Sequence, residues 1–298
     1  MAPGQPEPQM PGTNTALVGD ADVFTESMKM VEAIQGLTAD ARHQFSSSVT
    51  QLNDSSAEYV IQTMKHFYDR YIIVQYGIKN TIDDQVLSKL SLKVNGLETD
   101  HNLQVKGIIP LAEGDSIRSG EKKFVYLILD RTQSTDPYPQ AKIQSSLSYT
   151  ITEIDVDTEE EVGSYEDDYD FDEAQIAIRD YIKADVIPTG QFKDFWEKIG
   201  SHAKGSEVSS TYQLPFKTTE DAVEGVIKSF GMSVCEGSSK VNATDKTHNL
   251  LLSGLFLNIE MVLVRAIIGF NVEHGCVMKV VVRSMNPNIS NTMLEVIN

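Results

Sequence analysis

The chain has 298 residues, 41% of them hydrophobic, and its 25 Lys and Arg residues stand against 43 Asp and Glu residues, which gives a formal net charge of −18. This length suits one large domain or two ordinary ones, and it buries enough surface to fold without disulfides or a structural metal. The acidic balance argues against binding to nucleic acid, because a phosphate backbone needs Lys and Arg to displace its counterions. It also argues against electrostatic attachment to an anionic membrane.

Cysteine usage and hydropathy indicate a cytosolic protein. The two cysteines, Cys235 and Cys276, do not make a disulfide framework, which favours a reducing compartment. The start of the chain lacks the basic residues and apolar core of a signal peptide. The most apolar stretch, residues 250–270, is interrupted by polar residues such as Arg265, so we expect no membrane span.

Residues 1–56 do not have the composition of a folded unit. Pro and Gly dominate the start, small polar residues dominate 46–56, and only residues 23–34 form a weakly helical patch. Such a segment buries too little apolar surface to offset the entropy lost on ordering. We therefore predict a flexible linker or tail over residues 1–56.

Residues 57–165 show the two-residue period of β-strands. Residues 71–78 form an almost continuous apolar run, typical of a buried strand, and residues 86–94 alternate apolar and polar side chains from Leu90 onward. Further strands are expected at residues 103–109, 123–129 and 143–154. Short strands separated by turn sequences, with no convincing helix between them, predict an immunoglobulin-like β-sandwich subdomain.

An acidic run ends this region. Residues 153–173 contain twelve Asp and Glu residues and no Lys or Arg. Like charges at this density resist burial, which predicts a solvated loop or an exposed strand edge, and we place the subdomain boundary within the run. The spacing from Asp155 to Glu159 superficially resembles a set of calcium ligands, but Glu160 stands where an EF-hand loop requires Gly. A solvated acidic segment is the favoured interpretation.

The last region, residues 166–298, combines helices and strands. Phe192, Trp196 and Ile199 lie on one side of a short helix, and a second helix is expected at residues 222–230. Strands joined by short connections follow at residues 249–257, 261–268 and 276–282. Short connections make neighbouring strands antiparallel. The prediction is a mainly β fold followed by α+β: a sandwich, then a platform subdomain of antiparallel sheet plus helices.

The motifs give no reason to propose a catalytic, cofactor or metal site. The six histidines lack metal-ligand spacing, and neither a phosphate-cradling Gly-Lys-Ser/Thr loop nor a nucleophile elbow occurs. Cys235 and Cys276 have no His nearby in sequence and are better explained as small buried hydrophobic residues. These absences remove the reasons to propose an enzyme without excluding one.

Three residues are candidates for binding a partner protein. Trp196, the single Trp, lies at one edge of the apolar side of its helix. Periodicity alone favours a core aromatic at the subdomain boundary, whereas an exposed ring would anchor a peptide. Arg265 and Arg283 interrupt apolar strands, so each is either a solvent-facing residue of a half-covered sheet or part of a basic rim for acidic peptides.

A set of ordered motifs adds a family resemblance. The motifs are Glu58-Tyr59-Val60-Ile61, Asn80-Thr81-Ile82-Asp83-Asp84-Gln85, Gly163-Ser164-Tyr165-Glu166-Asp167-Asp168-Tyr169, Phe192-x-x-x-Trp196-x-x-x-Gly200, Phe230-Gly231-Met232, Thr247-His248-Asn249-Leu250-Leu251-Leu252-Ser253-Gly254 and Leu263-Val264-Arg265. No single motif is specific. In this order, over some four fifths of the chain, the set resembles the appendage ("ear") domain of the coatomer γ subunit.

The resemblance implies a function as well as a fold. The ear is a β-sandwich followed by a platform, and it is a non-enzymatic, cofactor-free part of the COPI coat, cytoplasmic and peripheral on Golgi membranes and COPI-coated vesicles. It recruits accessory proteins, notably an Arf GTPase-activating protein, in Golgi–endoplasmic reticulum transport, and the full-length subunit also contacts other coatomer subunits. The family's partner-binding Trp corresponds to Trp196, and a platform arginine of the same surface corresponds to Arg265. Arg283 also falls on a family arginine.

Two departures from the family pattern affect these expectations. No segment resembles the long helical trunk of the γ subunit, so the chain resembles either a fragment of one or an unusually short form. The second arginine of the family's Leu-Val-Arg-Ser-Arg pattern is Ile267 here, which weakens the expected basic rim. The alternatives are an enzyme with an unrecognised active site and a β-sandwich adhesion or interaction module.

Overall fold

The computed structural model describes residues 15–242, 245–271 and 275–297, which form two subdomains. We call residues 15–177, with two sheets, the sandwich, and residues 178–297, with one sheet and its helices, the platform. Strand pairs in the described ranges are antiparallel throughout. The predicted order of a β-sandwich followed by an antiparallel sheet with helices is confirmed.

The sandwich contains every strand that the sequence predicted for it. Its strands are β1 (His43–Ser46), β2 (Thr50–Gln51), β3 (Tyr59–Tyr68), β4 (Tyr71–Asn80), β5 (Gln85–Glu98), β6 (Gln104–Ile109), β7 (Ser116–Ile117), β8 (Lys122–Asp130), β9 (Ala141–Ile154), β10 (Glu161–Asp170) and β11 (Ala174–Ile176). Sheet A has the order β1-β3-β4-β8-β6, with β2 on β3, and sheet B the order β10-β9-β5-β7, with β11 on β9. Alternate residues of β9, such as Ile143, Leu147 and Ile151, enter the shared core because successive side chains of a strand point to opposite faces.

The N-terminal region differs from the predicted linker. Residues 1–14 lie outside the described ranges, but residues 15–56 form the helices α1 (Thr15–Lys29) and α2 (Glu32–Thr38) followed by β1 and β2. Phe24 of α1 and Ile34 of α2 are fully buried against the outer face of sheet A. Gly77 of β4 makes room for the Phe24 ring, since a Cβ there would lie 2.6 Å from the ring edge. A few large buried side chains, such as Phe24 and Ile34, are therefore enough to fold a segment whose average composition is polar.

The acidic run contains an exposed edge strand, one of the two states that the sequence predicts, but the subdomain boundary does not lie at residue 165. Residues 161–170 form β10, which pairs with β9 in a ladder that continues to Asp170, and β11 extends the same sheet to Ile176. The sandwich therefore ends at residue 177. An edge strand needs a neighbour on one side only, so its charges remain in water and the repulsion that resists burial does not prevent pairing.

The platform contains the predicted helices and the predicted three-strand meander. Its elements are the 3₁₀ turn Ile178–Tyr181, β12 (Ile182–Ala184), α3 (Phe192–Ser201), β13 (Ser206–Leu214), α4 (Thr219–Phe230), β14 (Ser233–Val234), β15 (Thr247–Phe256), β16 (Glu260–Asn271), β17 (Gly275–Ser284), α5 (Pro287–Thr292) and the 3₁₀ turn Met293–Ile297. Sheet C has the order β12-β15-β16-β17-β13, with β14 on β15. Helix α4 begins at Thr218, whose hydroxyl accepts the amide of Asp221, and it ends at Gly231 with φ 62°.

Sheet C is covered unequally on its two faces. Buried residues of α4, α5 and the last 3₁₀ turn pack against the inner face, in a core continuous with that of the sandwich. On the outer face α3 packs over one end, in a separate small cluster that includes Leu263. No other helix of the described ranges lies on the outer face, and the candidate site is on the part beside α3.

Buried contacts join the two subdomains. The Lys65 ammonium and the Asp180 carboxylate form an ion pair of 3.1 Å with side-chain exposures of 3% and 6%. The Tyr181 ring lies 4.2 Å from that of Phe67 and stacks on that of Phe256, with 5.9 Å between centroids. Separating the two groups would leave two buried charges unpaired, so this ion pair opposes opening of the junction.

Candidate partner-binding site

The helix that carries the candidate Trp is held by contacts along its length. Phe192 and Ile199 are buried against Leu263 of β16, as the one-sided apolar spacing predicts. At the helix N-terminus the Glu236 carboxylate accepts the amides of Gly190, at 2.8 Å, and Phe192, at 3.3 Å. An anion suits this end because the first amides of a helix lack partners within the helix. The position of α3 on sheet C is therefore well defined.

Trp196 is neither a fully buried core residue nor a fully exposed one, the two alternatives that the sequence leaves open. The ring is half-buried, with Phe192 of the previous helical turn stacked at 5.7 Å between centroids. It packs against the small cluster of α3 and sheet C without being enclosed by it. The indole thus combines a fixed position with a solvent-facing part, which are the properties of an aromatic anchor.

Arg283 is committed to contacts within the platform. Its guanidinium carbon lies 4.4 Å from the centroid of the Trp196 ring, and Nη1 donates to the Trp196 carbonyl at 2.7 Å. Nε and Nη2 both contact the Glu207 carboxylate at 2.5 Å. Gly200 allows this approach, since a Cβ there would clash with the guanidinium. Because these contacts occupy both edges of the fork, Arg283 clamps α3 onto β17 and β13 and has few donors left for a partner.

Of the two candidate arginines, Arg265 is the one whose charge is free to meet a partner. Its side chain is exposed, and Nη2 donates to the Asn249 side chain at 3.2 Å. Leu263 of β16 pairs with Arg283 and Arg265 pairs with Val281, so both arginines lie on the same face of sheet C. The structure thus brings Trp196 and Arg283 into contact and places Arg265 beside them on the neighbouring strand.

The open face around these residues is partly apolar and partly basic. Leu251, Ile267 and Val281 are half-exposed on this face, between α3 and the far end of the sheet. Ile267, where the family pattern has an arginine, pairs across the ladder with the exposed Lys279. Cross-strand neighbours lie about 5 Å apart, so the cation missing at residue 267 is present one strand away.

Sequence reasoning missed the two acidic residues that build this site. Glu207 lies on β13, an edge strand of alternating polar residues that was not predicted, and Glu236 lies in the loop between β14 and β15. Both act on residues far away in sequence, so neither spacing nor periodicity indicates them. The alternation of Val208, Ser210 and Tyr212 with more exposed residues was the available signal for β13.

The two cysteines are poor candidates for a reactive centre. Cys235 and Cys276 are buried, and burial raises the pKa of both thiols, which disfavours the reactive thiolate. Within the described ranges no group of three His, Cys, Asp or Glu side chains is placed to hold a metal ion. None of the helices in these ranges combines the length and apolarity needed to cross a bilayer.

A sandwich joined to a platform that displays a half-exposed aromatic residue defines a two-part appendage domain. Residues 25–177 match the sequence profile described as coatomer gamma subunit appendage platform subdomain, and residues 179–297 match the profile described as coatomer subunit gamma-1 C-terminal appendage platform. The chain belongs to the coatomer γ subunit appendage family. The two profiles meet where the sandwich and the platform meet in the structure.

Curated relatives agree with this assignment. The chain is 28% identical to coatomer subunit gamma-2 of Oryza sativa subsp. japonica over 295 residues, which are 96% of the chain and 31% of the relative. It is 29% identical to coatomer subunit gamma-2 of Homo sapiens, over 80% of the chain and 26% of the relative. It is also 29% identical to coatomer subunit gamma of Dictyostelium discoideum, over 74% of the chain and 24% of the relative. The chain spans less than a third of the relatives' length.

Proposed function

We propose that this chain is a non-enzymatic appendage of the COPI coat that recruits accessory proteins, an Arf GTPase-activating protein among them, in Golgi–endoplasmic reticulum transport. In a full-length subunit the other coatomer subunits would be further partners. Its binding site is the platform surface formed by Trp196, Arg265, Leu251, Ile267 and Val281. The observation that supports it most directly is the partly exposed Trp196 ring, held in place beside a sheet face that no other described helix covers.

The chemistry of this platform surface suits a short peptide with apolar and acidic residues. An aromatic or aliphatic side chain of the partner would pack against the exposed part of Trp196 and onto Val281 and Ile267. Acidic side chains would meet Arg265 and Lys279, the exposed cations of the same face. A site of this size corresponds to micromolar affinity, about −8 kcal/mol. Multiple copies in a coat would then supply avidity while each contact stays reversible.

We propose a different role for one candidate. Arg283 was expected to contribute to a basic rim, but its guanidinium is engaged by Glu207 and by the carbonyl and ring of Trp196. We propose that it positions Trp196 and that Arg265 supplies the charge met by the partner. Arg265→Ala should then weaken partner binding without moving α3.

Capture of an Arf GTPase-activating protein tests the proposal. Trp196→Ala should abolish capture while circular dichroism shows the fold intact at the assay temperature. Phe270→Ala is the matched control, because Phe270 is an aromatic of the same subdomain with 47% exposure, on β16 but outside this platform surface. Should Trp196→Ala alter the fold, Arg265→Glu provides the same test through a surface residue. A folded Trp196→Ala protein that captures the partner as well as the unchanged protein would refute this site.

A further inference from the structure

Strand β10 is an open edge of the sandwich. It is a ten-residue strand at the end of sheet B, paired with β9 on one side, and no strand of the described ranges pairs with its other side. At the opposite edge of the same sheet, β7 is only two residues long. The amide of Asp168 turns to the carboxylate of its neighbour Asp167, at 2.8 Å.

The strand is accessible on its faces as well as on its edge. All its side chains are exposed except that of Tyr169, which is half-buried against Tyr59 with 5.3 Å between ring centroids. Val162 and Tyr165 are 70% and 45% exposed, so apolar surface lies open among the charges. A sandwich strand normally buries one face. Most of strand β10 therefore does not pack on the core, and its backbone edge is accessible to a second chain.

The charges on β10 determine which chain could pair with it. Its ten residues include five carboxylates, of which those of Glu166, Asp168 and Asp170 share one face because side chains alternate. One cation of the described chain, Lys93, pairs with the strand, at 2.7 Å from Asp168. A second copy of β10 would place like charges opposite one another, which excludes self-pairing. A strand carrying Lys or Arg at alternate positions would instead neutralise the row.

We propose that β10 binds an extended, Lys- or Arg-rich segment of a partner protein as an added strand of sheet B. The main-chain bonds of the open edge supply register and affinity, and the row of carboxylates selects a cationic sequence. Acidic side chains alone would attract cations loosely, with an effect that salt screens. It is the free backbone edge that makes this a defined site. The site is separate from the platform surface and does not depend on it.

Binding of a synthetic peptide tests the proposal. The probe is a fluorescent ten-residue peptide of alternating Lys and Val, titrated into the whole chain. We expect saturable one-to-one binding and slower hydrogen exchange at the amides of residues 161–170. A peptide of the same sequence with N-methyl groups on both edges keeps the charge but cannot pair, and it should not bind. Trp196→Ala should leave the affinity unchanged.

A pair of charge-matched variants locates the site. The combined change Glu166→Gln, Asp168→Asn and Asp170→Asn should lower the affinity for the peptide about tenfold. Each surface charge pair contributes little, and the three lost pairs together account for this loss. The control, Asp157→Asn, Glu159→Gln and Glu160→Gln, removes the same charge from the neighbouring turn and should change it less than about threefold. Circular dichroism checks that both remain folded. Equal losses in the two variants, or equal binding of the N-methylated peptide, would show diffuse electrostatic attraction and overturn the proposal, as would absence of saturable binding.

Discussion

Replacing Phe24 with Ala should destabilise the whole sandwich. The ring is fully buried, meets Phe124 edge to face at 4.8 Å, and fills the space above Gly77. Loss of a buried Phe side chain costs about 3–5 kcal/mol, and part of this is recovered if α1 settles onto the sheet. We therefore expect a loss of about 3 kcal/mol in the free energy of unfolding. For a protein of this size that corresponds to a fall of roughly 5 °C in Tm.

The measurement is urea unfolding followed by circular dichroism. Val23→Ala is the matched control, since Val23 neighbours Phe24 on α1 but is 50% exposed, and it should change stability by less than about 0.5 kcal/mol. Gly77→Ala tests the same contact from the other side, because the new methyl group would displace the Phe24 ring. If Phe24→Ala unfolds with the same midpoint and slope as the unchanged protein, α1 does not pack on sheet A and the segment is a linker after all.

Further predictions concern acid stability, the subdomain junction and the Trp environment. Burial lowers the pKa of His66 from 6.5 to about 4, so between these pH values the folded state binds fewer protons than the unfolded state. The free energy of unfolding, measured with urea, should therefore fall by about 3 kcal/mol as the pH drops from 6.5 towards 4. His66→Gln should make the free energy of unfolding less dependent on pH in this range. Asp180→Asn leaves the charge of its buried lysine partner unpaired and should cost about 3–5 kcal/mol in thermal unfolding. Arg283→Ala should cost about 2 kcal/mol and shift the Trp196 emission to longer wavelength, whereas Arg265→Ala should leave both unchanged. An unshifted emission in Arg283→Ala would contradict the clamp.

Strands with a clear period were predictable because their pattern reports directly on burial. The almost continuous apolar run at residues 71–78 indicates a strand buried on both faces, and β4 is buried in this way. The same run also indicates that another element must cover the outer face of sheet A. A second buried face requires a cover, and α1 and α2 provide it, although their few anchors give no strong period of their own.

The candidate site was only partly predictable. Trp196 and the two arginines were found by periodicity and family resemblance, but their roles depend on contacts between elements distant in sequence. Glu207 of β13 engages Arg283 of β17 across a strand pairing of residues 76 positions apart. Local patterns contain no information about such a partner, particularly when it lies on a polar edge strand.

The dry ion pair and the aromatic stack between the sandwich and the platform have a mechanical consequence. Rotating one subdomain relative to the other would separate the Lys65 ammonium from the Asp180 carboxylate while both are still buried and out of contact with water. The ion pair and the ring contact therefore oppose bending of the chain near residue 177. If a partner binds the platform surface as proposed, we expect its distance and orientation relative to β10 to change little.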